Sequence, residues 1–369
     1  MNVSNHTANQ ISVVINHKLS ERGGRTFNLD VDLDLPAKGI TAVFGESGSG
    51  KTTLLRCIAG LETSSRGEIR VRGVVWQRET DFIPCHQRRV GYVFQESSLF
   101  PHLNVKKNIA FGISRSPSQL DTEHYHEIIE LMGLASLLQQ YPDQLSGGER
   151  QRAAIARALI IEPDLLLMDE PLASLDMKRK QEILPYLESV HEKLDVPIIY
   201  VTHSIDEVAR LADHLVVLQE GKVIADGALK EVLSDIEHPL HLGEETGVVV
   251  EAEVQERDSE WNLIRAAFEG GELWIRDGGD EIGHKIRIRI LARDVSLALS
   301  EHTDTSIINR LRVKVEKIQY VVGQSMLLVS LKAGSSNIIA RLSRRSAHHL
   351  NINVGMEVWA QIKGVAILR

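Results

Sequence analysis

The chain has 369 residues, 43% of them hydrophobic and 25% charged, with a formal net charge of −8. That length suggests two or three domains with a core that needs no staples, and the acidic balance argues against a nucleic-acid binder, which carries a net basic face. Cys57 and Cys85 cannot frame a disulfide scaffold, which points to a reducing compartment, and no uncharged apolar run reaches the roughly 18 residues of a membrane span.

Met1–Gln10 is polar and lacks a basic start followed by an apolar stretch, so no signal peptide is expected. Ile40–Phe44 is a short β-rich run. It leads into Gly45-Glu46-Ser47-Gly48-Ser49-Gly50-Lys51-Thr52-Thr53, and a helix is expected over Thr52–Gly60. This strand, glycine turn and helix fit the G-x-x-x-x-G-K-[ST] phosphate loop. The glycines let backbone N–H groups face a phosphate, and the helix start adds partial positive charge. Lys51 is expected to reach the β- and γ-phosphates, and Thr52 to hold Mg²⁺. Cys57, on the same helix, reads as a small core residue.

Further along, His124 and His126 read as members of a solvated helix rather than a metal site. Leu145-Ser146-Gly147-Gly148-Glu149 opens a helix that runs through Arg152–Ile161. Ser146 and the glycine amides make a second anion-binding helix start. Leu165-Leu-Leu-Met-Asp169-Glu170 is an apolar run ending in acid. Asp169 is expected to bind Mg²⁺, and Glu170 to polarise an attacking water as general base. Pro197–Thr202, ending at His203, and Leu215–Leu218 are further continuous apolar runs. Such strands between helices indicate a buried parallel sheet.

The pattern changes near Glu237. Residues 237–247 carry Pro239, Gly243 and Gly247 among charges and read as a linker. Beyond it strands predominate: Ile286–Ile290, half-exposed through Arg287 and Arg289, then Leu311–Val315, Met326–Leu331, Asn337–Leu342 and Val358–Ile362. Their spacing suggests a small β-barrel or sandwich. A weak internal duplication is conceivable there. His348 and His349 are adjacent, and on a strand they would face opposite ways.

The set of motifs over about residues 11–235 resembles the ATP-binding cassette (ABC) ATPases. The fold implied is an α/β P-loop cassette, here with a carboxyl-terminal all-β (OB-like) region. The segment from Ser146 to Glu149 resembles the family's signature motif, which contacts ATP across a head-to-tail homodimer. Val93-Phe94-Gln95 resembles the Q-loop, which implies that Gln95 touches Mg²⁺ and the attacking water. Ser174-Leu175-Asp176 resembles the D-loop, and His203 the switch histidine at the γ-phosphate. ATP and Mg²⁺ are the cofactors implied. The adenine-stacking aromatic of the family is missing from Glu21–Arg25; Arg22 or Phe27 stands nearest.

Ninety-four positions separate Lys51 from Leu145, too few for the coiled coil of DNA-repair relatives. A lone cassette with a β-rich tail is similar to an importer's ATPase subunit, and the segment from Gln95 to His102 to the dock for a permease's coupling helix. Thr305-Ser306-Ile307-Ile308-Asn309-Arg310-Leu311 and Ala360-Gln-Ile-Lys363-Gly-Val365 resemble the molybdate-binding (Mop, or TOBE) domain. That implies oxyanion contacts, molybdate or tungstate, from Ser306, Asn309 and Lys363, with Arg310 a further candidate. Hydroxyl, amide and ammonium donors suit a tetrahedral dianion.

The resemblance as a whole is to the ATPase subunits of molybdate importers. Subunits for sulfate, iron or polyamines, and soluble ABC ATPases acting on nucleic acid, are the alternatives. It implies residues 1–236 as the nucleotide-binding domain and 248–369 as a regulatory region, Mop-like from about 303. The partners implied are a second copy, a membrane permease and, indirectly, a periplasmic or extracellular substrate-binding protein, with no nucleic acid. The place implied is the cytoplasmic face of the inner membrane.

Overall fold

A computed structural model describes residues 10–20, 26–63, 66–113, 122–237, 245–320 and 325–368. The chain divides after Gly227 into two compact units. No helix among the described residues is long and apolar enough to cross a membrane.

The first unit opens with two strands that the sequence reading passed over. β1 (Gln10–Ser20) and β2 (Thr26–Pro36) pair antiparallel along their whole length. β2 alternates Leu29, Val31, Leu33 and Leu35, all buried, with exposed Asp30, Asp32 and Asp34. Period-two patterning of this kind lets one strand face the core and the solvent at once. Then follow β3 (Ile40–Phe44), α1 (Lys51–Ala59), β4 (Arg66–Val71), β5 (Val74–Arg78), β6 (Asp81–Phe82), β7 (Val90–Val93), α2 (Val105–Ile113), α3 (Thr122–Leu131) and α4 (Gly147–Leu159). β8 (Leu165–Asp169), α5 (Met177–Lys193), β9 (Ile198–Thr202), α6 (Ile205–Leu211), β10 (His214–Gln219) and β11 (Lys222–Ala228) complete it.

The strands form one sheet in the order β6-β5-β4-β1-β2-β11-β10-β3-β9-β8-β7. From β10 to β7 every pairing is parallel. Alternate side chains of each central strand enter different cores. Leu165 and Leu167 of β8 join Leu54, Leu55 and Ile58 of α1, whereas Leu166 and Met168 join Ala153, Ile155 and Ala156 of α4. Both faces are covered, so the run needs no polar alternation.

Arg88 fastens the C-terminal end of α1. Its buried guanidinium donates to Ile58 O at 2.6 Å, Cys57 O at 3.2 Å, Ile83 O at 2.7 Å and Trp76 O at 3.4 Å. Carbonyls at a helix end lack intrahelical partners, and a cation there also meets the negative end of the dipole. Burial pulls the Arg88 guanidinium down to about 10.

The second unit begins with α7 (Leu229–Ser234), whose Leu229 and Leu233 are buried and which packs on β12 (Gly247–Asp258). Ile236 also enters this unit's core. The contact boundary after Gly227 thus falls ahead of the expected linker, whose residues 238–244 lie outside the described residues. β13 (Leu263–Phe268), β14 (Gly271–Arg276), β15 (Lys285–Leu291) and β16 (Val295–Ala298) follow. Then come β17 (Asn309–Tyr320), β18 (Met326–Ala333), β19 (Ser336–Ser343), α8 (Arg344–His349), β20 (Glu357–Ile362) and β21 (Ala366–Ile367).

Two five-stranded sheets, β14-β13-β12-β15-β21 and β19-β18-β17-β20-β16, share one core. The same order recurs, so the region is duplicated, as β12–β16 and β17–β21. The last strand of each repeat completes the sheet of the other. Each repeat starts with a twelve-residue strand that carries a bulge, at Val254/Glu256 and at Val315/Lys317.

Two expectations are corrected. Arg289 is not half-exposed but 5% exposed, with its guanidinium on Glu245 O at 2.6 Å and Glu245 Oε2 at 3.1 Å. His348 and His349 lie on the short helix α8, not on a strand.

Arg88→Met is expected to cost the first unit about 2–4 kcal/mol, because it strips partners from several buried carbonyls. Urea unfolding followed by Trp76 fluorescence checks it.

Candidate functional site

Four parallel strands deliver the candidate residues at their carboxyl ends. The phosphate loop follows β3, Gln95 lies two residues beyond β7, Asp169 ends β8, and His203 follows β9. Ligands of open α/β sheets bind at this edge.

The loop wraps tightly. Gly50 sits at φ 104°, and a Cβ there would lie 2.8 Å from the Phe27 ring, so glycine is required twice over. A Cβ on Gly45 would lie 2.2 Å from Leu218 O. Glu46, Ser47 and Gly48 are exposed at the loop's crest, and Thr53 is half-buried on the first turn of α1. Gly50 caps α1 without a side-chain hydrogen bond, which keeps the helix-start amides facing outward. Ser49 is buried, and its Oγ has no hydrogen-bond partner. Phe27 packs on the loop through Gly50 and Gly221. Arg22, the other residue near the adenine position, lies outside the described residues.

Lys51 is 4% exposed, and its ammonium donates to Gly45 O and Glu46 O at 2.8 Å each. Glu170 Oε1 stands 3.9 Å away. Burial lowers the Lys51 pKa, against the opposing pull of the Glu170 and Asp169 charges. Thr52 Oγ1 donates to Asp169 Oδ1 at 2.9 Å, and Tyr92 OH to Asp169 Oδ2 at 3.2 Å. Burial raises the Asp169 pKa; the two hydrogen bonds and Lys51 oppose it, and the Glu170 charge adds to it. Thr52 and Asp169 set two hard oxygens side by side, a donor set that suits Mg²⁺.

Glu170 adopts φ 45°, a left-handed conformation uncommon outside glycine. Its N–H on Val201 O at 3.0 Å and its carbonyl on Ala173 N at 3.1 Å hold it there. Strain of this kind is retained where surrounding contacts over-determine it, often at functional sites. Its carboxylate Oε2 meets His203 Nδ1 at 3.1 Å.

Hydrogen bonds and ion pairs therefore join Lys51, Thr52, Asp169, Glu170 and His203 in one cluster. Among the described residues none runs from that cluster to the Ser146 segment. Ser146 instead caps α4: its Oγ accepts from Glu149 N at 3.3 Å, and Glu149 Oε2 accepts from Ser146 N at 2.7 Å. Those bonds, the backbone one first, hold the Glu149 carboxyl below its usual range. A Cβ on Gly147 would lie 2.9 Å from Leu175, so the Asp176 turn packs against this helix start, whereas the room at Gly148 is ordinary. Asp176 caps α5 by accepting from Arg179 N at 3.0 Å. Gln95 is exposed. In the same loop, Ser97 Oγ donates to Gln151 Oε1 of α4 at 2.9 Å.

Sequence reasoning missed Tyr92, a polar side chain on an otherwise apolar face, and that break in pattern is the signal that would have found it.

In the second unit, β17 pairs with β20 so that Asn309 lies opposite Ile362. This register brings Ser306, Asn309 and Lys363 to one end of the sheet. Ser306 and Lys363 are exposed. Asn309 is 7% exposed; its Oδ1 accepts from Trp274 N at 2.7 Å, and its Nδ2 donates to Trp274 O at 2.8 Å. An amide nitrogen carries two hydrogens, and the bond to Trp274 O uses one of them. Lys363 stands where the chain crosses from β20 to β21, and its N–H donates to Asp294 O at 2.8 Å, in the crossover of the first repeat. Arg310 donates to His302 O at 2.6 Å.

Asn309→Ala is expected to destabilise the second unit by about 1–3 kcal/mol, since both polar groups of a part-buried peptide lose their partner. Urea unfolding monitored at the second unit checks it. For Asp169 the sign runs the other way from most carboxylates. Its folded pKa is raised, so above that pKa the charged form costs stability, and the cost disappears as pH falls through it. Asp169→Asn is expected to raise the nucleotide-free melting temperature by a few degrees near pH 7, and to lose the gain at acid pH; calorimetry against pH checks it.

Two family models match: "ABC transporter" over residues 29–173 and "TOBE domain" over residues 305–368. Among solved structures, the chain is similar to a dimeric ATP-binding cassette in a post-hydrolysis state bound to ADP and Pi. The identity is 28%, over 59% of this chain and 98% of that one, with a TM-score of 0.52. It is also similar to cbiO1 from Clostridium perfringens, part of the ABC transporter complex cbiONQ, at 29% identity over 61% of this chain and 90% of that one, with a TM-score of 0.54. Curated relatives match nearly end to end. The molybdenum import ATP-binding protein ModC of Thiobacillus denitrificans is 55% identical over 93% of this chain and 94% of its own length. ModC of Methylococcus capsulatus is 55% identical over 93% and 96%. The chain belongs to the family of ABC-type molybdenum import ATP-binding proteins.

Proposed function

We propose that this protein hydrolyses Mg·ATP to drive molybdate uptake through a separate membrane permease. The observation that carries this reading is the cluster at the sheet edge: a buried lysine in the phosphate loop, a Thr52–Asp169 oxygen pair, and a strained Glu170 touching His203. The names of relatives matching over nine-tenths of the chain supply the transported ion.

In this reading the amides from Gly45 to Thr53 cradle the phosphates. Lys51 leaves its loop carbonyls for the β- and γ-phosphates. Thr52, Asp169 and Gln95 hold Mg²⁺, which offsets phosphate charge when bound. Glu170 takes the proton of the attacking water, and His203 steadies the γ-phosphate and the Glu170 carboxylate. Ser146, Gly147, Gly148 and Glu149 of one copy, with Asp176 at the joint, cover the nucleotide of a second copy. The ADP-bound dimeric cassette of like fold supports that pairing. The protein sits at the cytoplasmic face of the membrane, and Phe100 and its neighbours receive the permease. In the β region Ser306, Lys363 and the remaining Asn309 N–H bind molybdate or tungstate.

Glu170→Gln is expected to lower kcat by about 10²–10⁴-fold with ATP still bound, the range for losing a general base. Lys51→Ala is expected to abolish hydrolysis. Phosphate release and nucleotide binding on the purified protein check both, and wild-type turnover in Glu170→Gln overturns the assignment. Calorimetric titration of the full chain is expected to give heat with molybdate, less with Lys363→Ala, and none with sulfate.

A further inference from the structure

The turn that carries His203 is braced from behind by a buried carboxylate that none of the roles above uses. Glu207, on α6, is 4% exposed. Its Oε2 accepts from Thr202 Oγ1 at 2.8 Å and from Tyr200 OH at 2.9 Å, and its Oε1 accepts from Lys180 Nζ at 2.8 Å. Thr202 Oγ1 in turn accepts from Ser204 N at 3.0 Å, and Ser204 Oγ from Glu207 N at 3.4 Å. Thr202 and Ser204 flank His203, so both neighbours are pinned through one carboxylate. His203 itself remains 58% exposed in its side chain, yet points at Glu170. An exposed imidazole keeps one direction only if its backbone is fixed, because side-chain packing does not hold it.

We propose that Glu207 is the positioning residue of His203, acting through the Thr202 hydroxyl. Lys180 lies on the first turns of α5, the helix capped by Asp176, and its N–H donates to Asp176 O at 3.0 Å. The Lys180–Glu207 pair thus ties the Asp176 turn to the His203 turn. The pair is part-buried, with the Lys180 side chain 18% exposed and that of Glu207 5% exposed, and such a pair is better evidence of fixed geometry than of added stability. The inference rests on the reading of His203 at the γ-phosphate.

The test compares Thr202→Val, Tyr200→Phe, His203→Ala and the double variant T202V/H203A in the full-length protein. Tyr200→Phe removes a bond from Glu207 but leaves the residues beside His203 pinned. Thr202→Val keeps the Lys180–Glu207 pair and removes the acceptor of the Ser204 N–H. Thr202→Val is expected to lower kcat about tenfold with KM for ATP within twofold, and to move the His203 ¹³Cε1 resonance at constant pH. Tyr200→Phe is expected to lower the melting temperature without lowering kcat. The double variant is expected to turn over no more slowly than His203→Ala alone. Equal loss of kcat from Thr202→Val with and without His203, an unmoved His203 resonance, or kcat losses that track stability in both single variants overturns the proposal. Wild-type turnover in His203→Ala overturns the reading of His203 instead, and the resonance still reports whether Glu207 sets its place.

Discussion

A lysine ammonium buried at the mouth of the phosphate loop governs this site. Lys51 is held by two loop carbonyls and faced by two carboxylates, yet burial still lowers its pKa. Asp169 is strained in the opposite sense. Two charged groups kept in a desolvated place are tolerated because each is partly compensated by the other and by hydrogen bonds. Everything around them serves that arrangement. Gly50 admits Phe27 against the loop, Thr52 and Tyr92 each donate to one Asp169 oxygen, and Arg88 anchors the far end of α1. Titratable groups perturbed by burial and by one another in this way cluster at functional sites.

The sheet makes this possible by a simple rule. Each central strand sends alternate side chains into two different cores, so its position is fixed from both faces. The strand ends then become the rigid points of the molecule, and the loops beyond them carry the chemistry. The helix starts play complementary parts. α1 leaves its first amides uncapped by any side chain, whereas α4 closes its own with the Ser146–Glu149 pair. One start leaves its amides open beside the cluster; in the proposed reading the other covers the nucleotide of a second copy.

The β region follows a different logic. Its two repeats each lend their last strand to the other's sheet, so each sheet is completed by its neighbour. The crossings lie beside each other, through Lys363 N and Asp294 O. That exchange places Lys363 at a junction and not on an open strand. It also explains why Asn309 spends two of its hydrogen-bonding groups on Trp274: the amide stitches an edge strand of one sheet to the leading strand of the other.

Much of this was legible in the residues. The phosphate loop, the acidic end at Asp169–Glu170 and the apolar runs of β3, β8, β9 and β10 follow from local pattern, because glycine turns and doubly buried strands need particular residue types. The roles proposed for Gln95, Ser146, Asp176 and His203 come only from resemblance, since a lone polar residue beside a strand has no local signature. β1, β2 and β12–β14 were passed over although their alternation was there to be read. Arg289 was misjudged because burial of an arginine depends on a partner, Glu245, that lies 44 positions away. The sequence by itself determined which segments fold as strands, turns and helix starts, since these rest on neighbours in the chain. Only the tertiary structure decided that Glu207 braces His203, that Asn309 is occupied by Trp274, and that the repeats exchange strands, because each depends on which distant atoms come within hydrogen-bond reach.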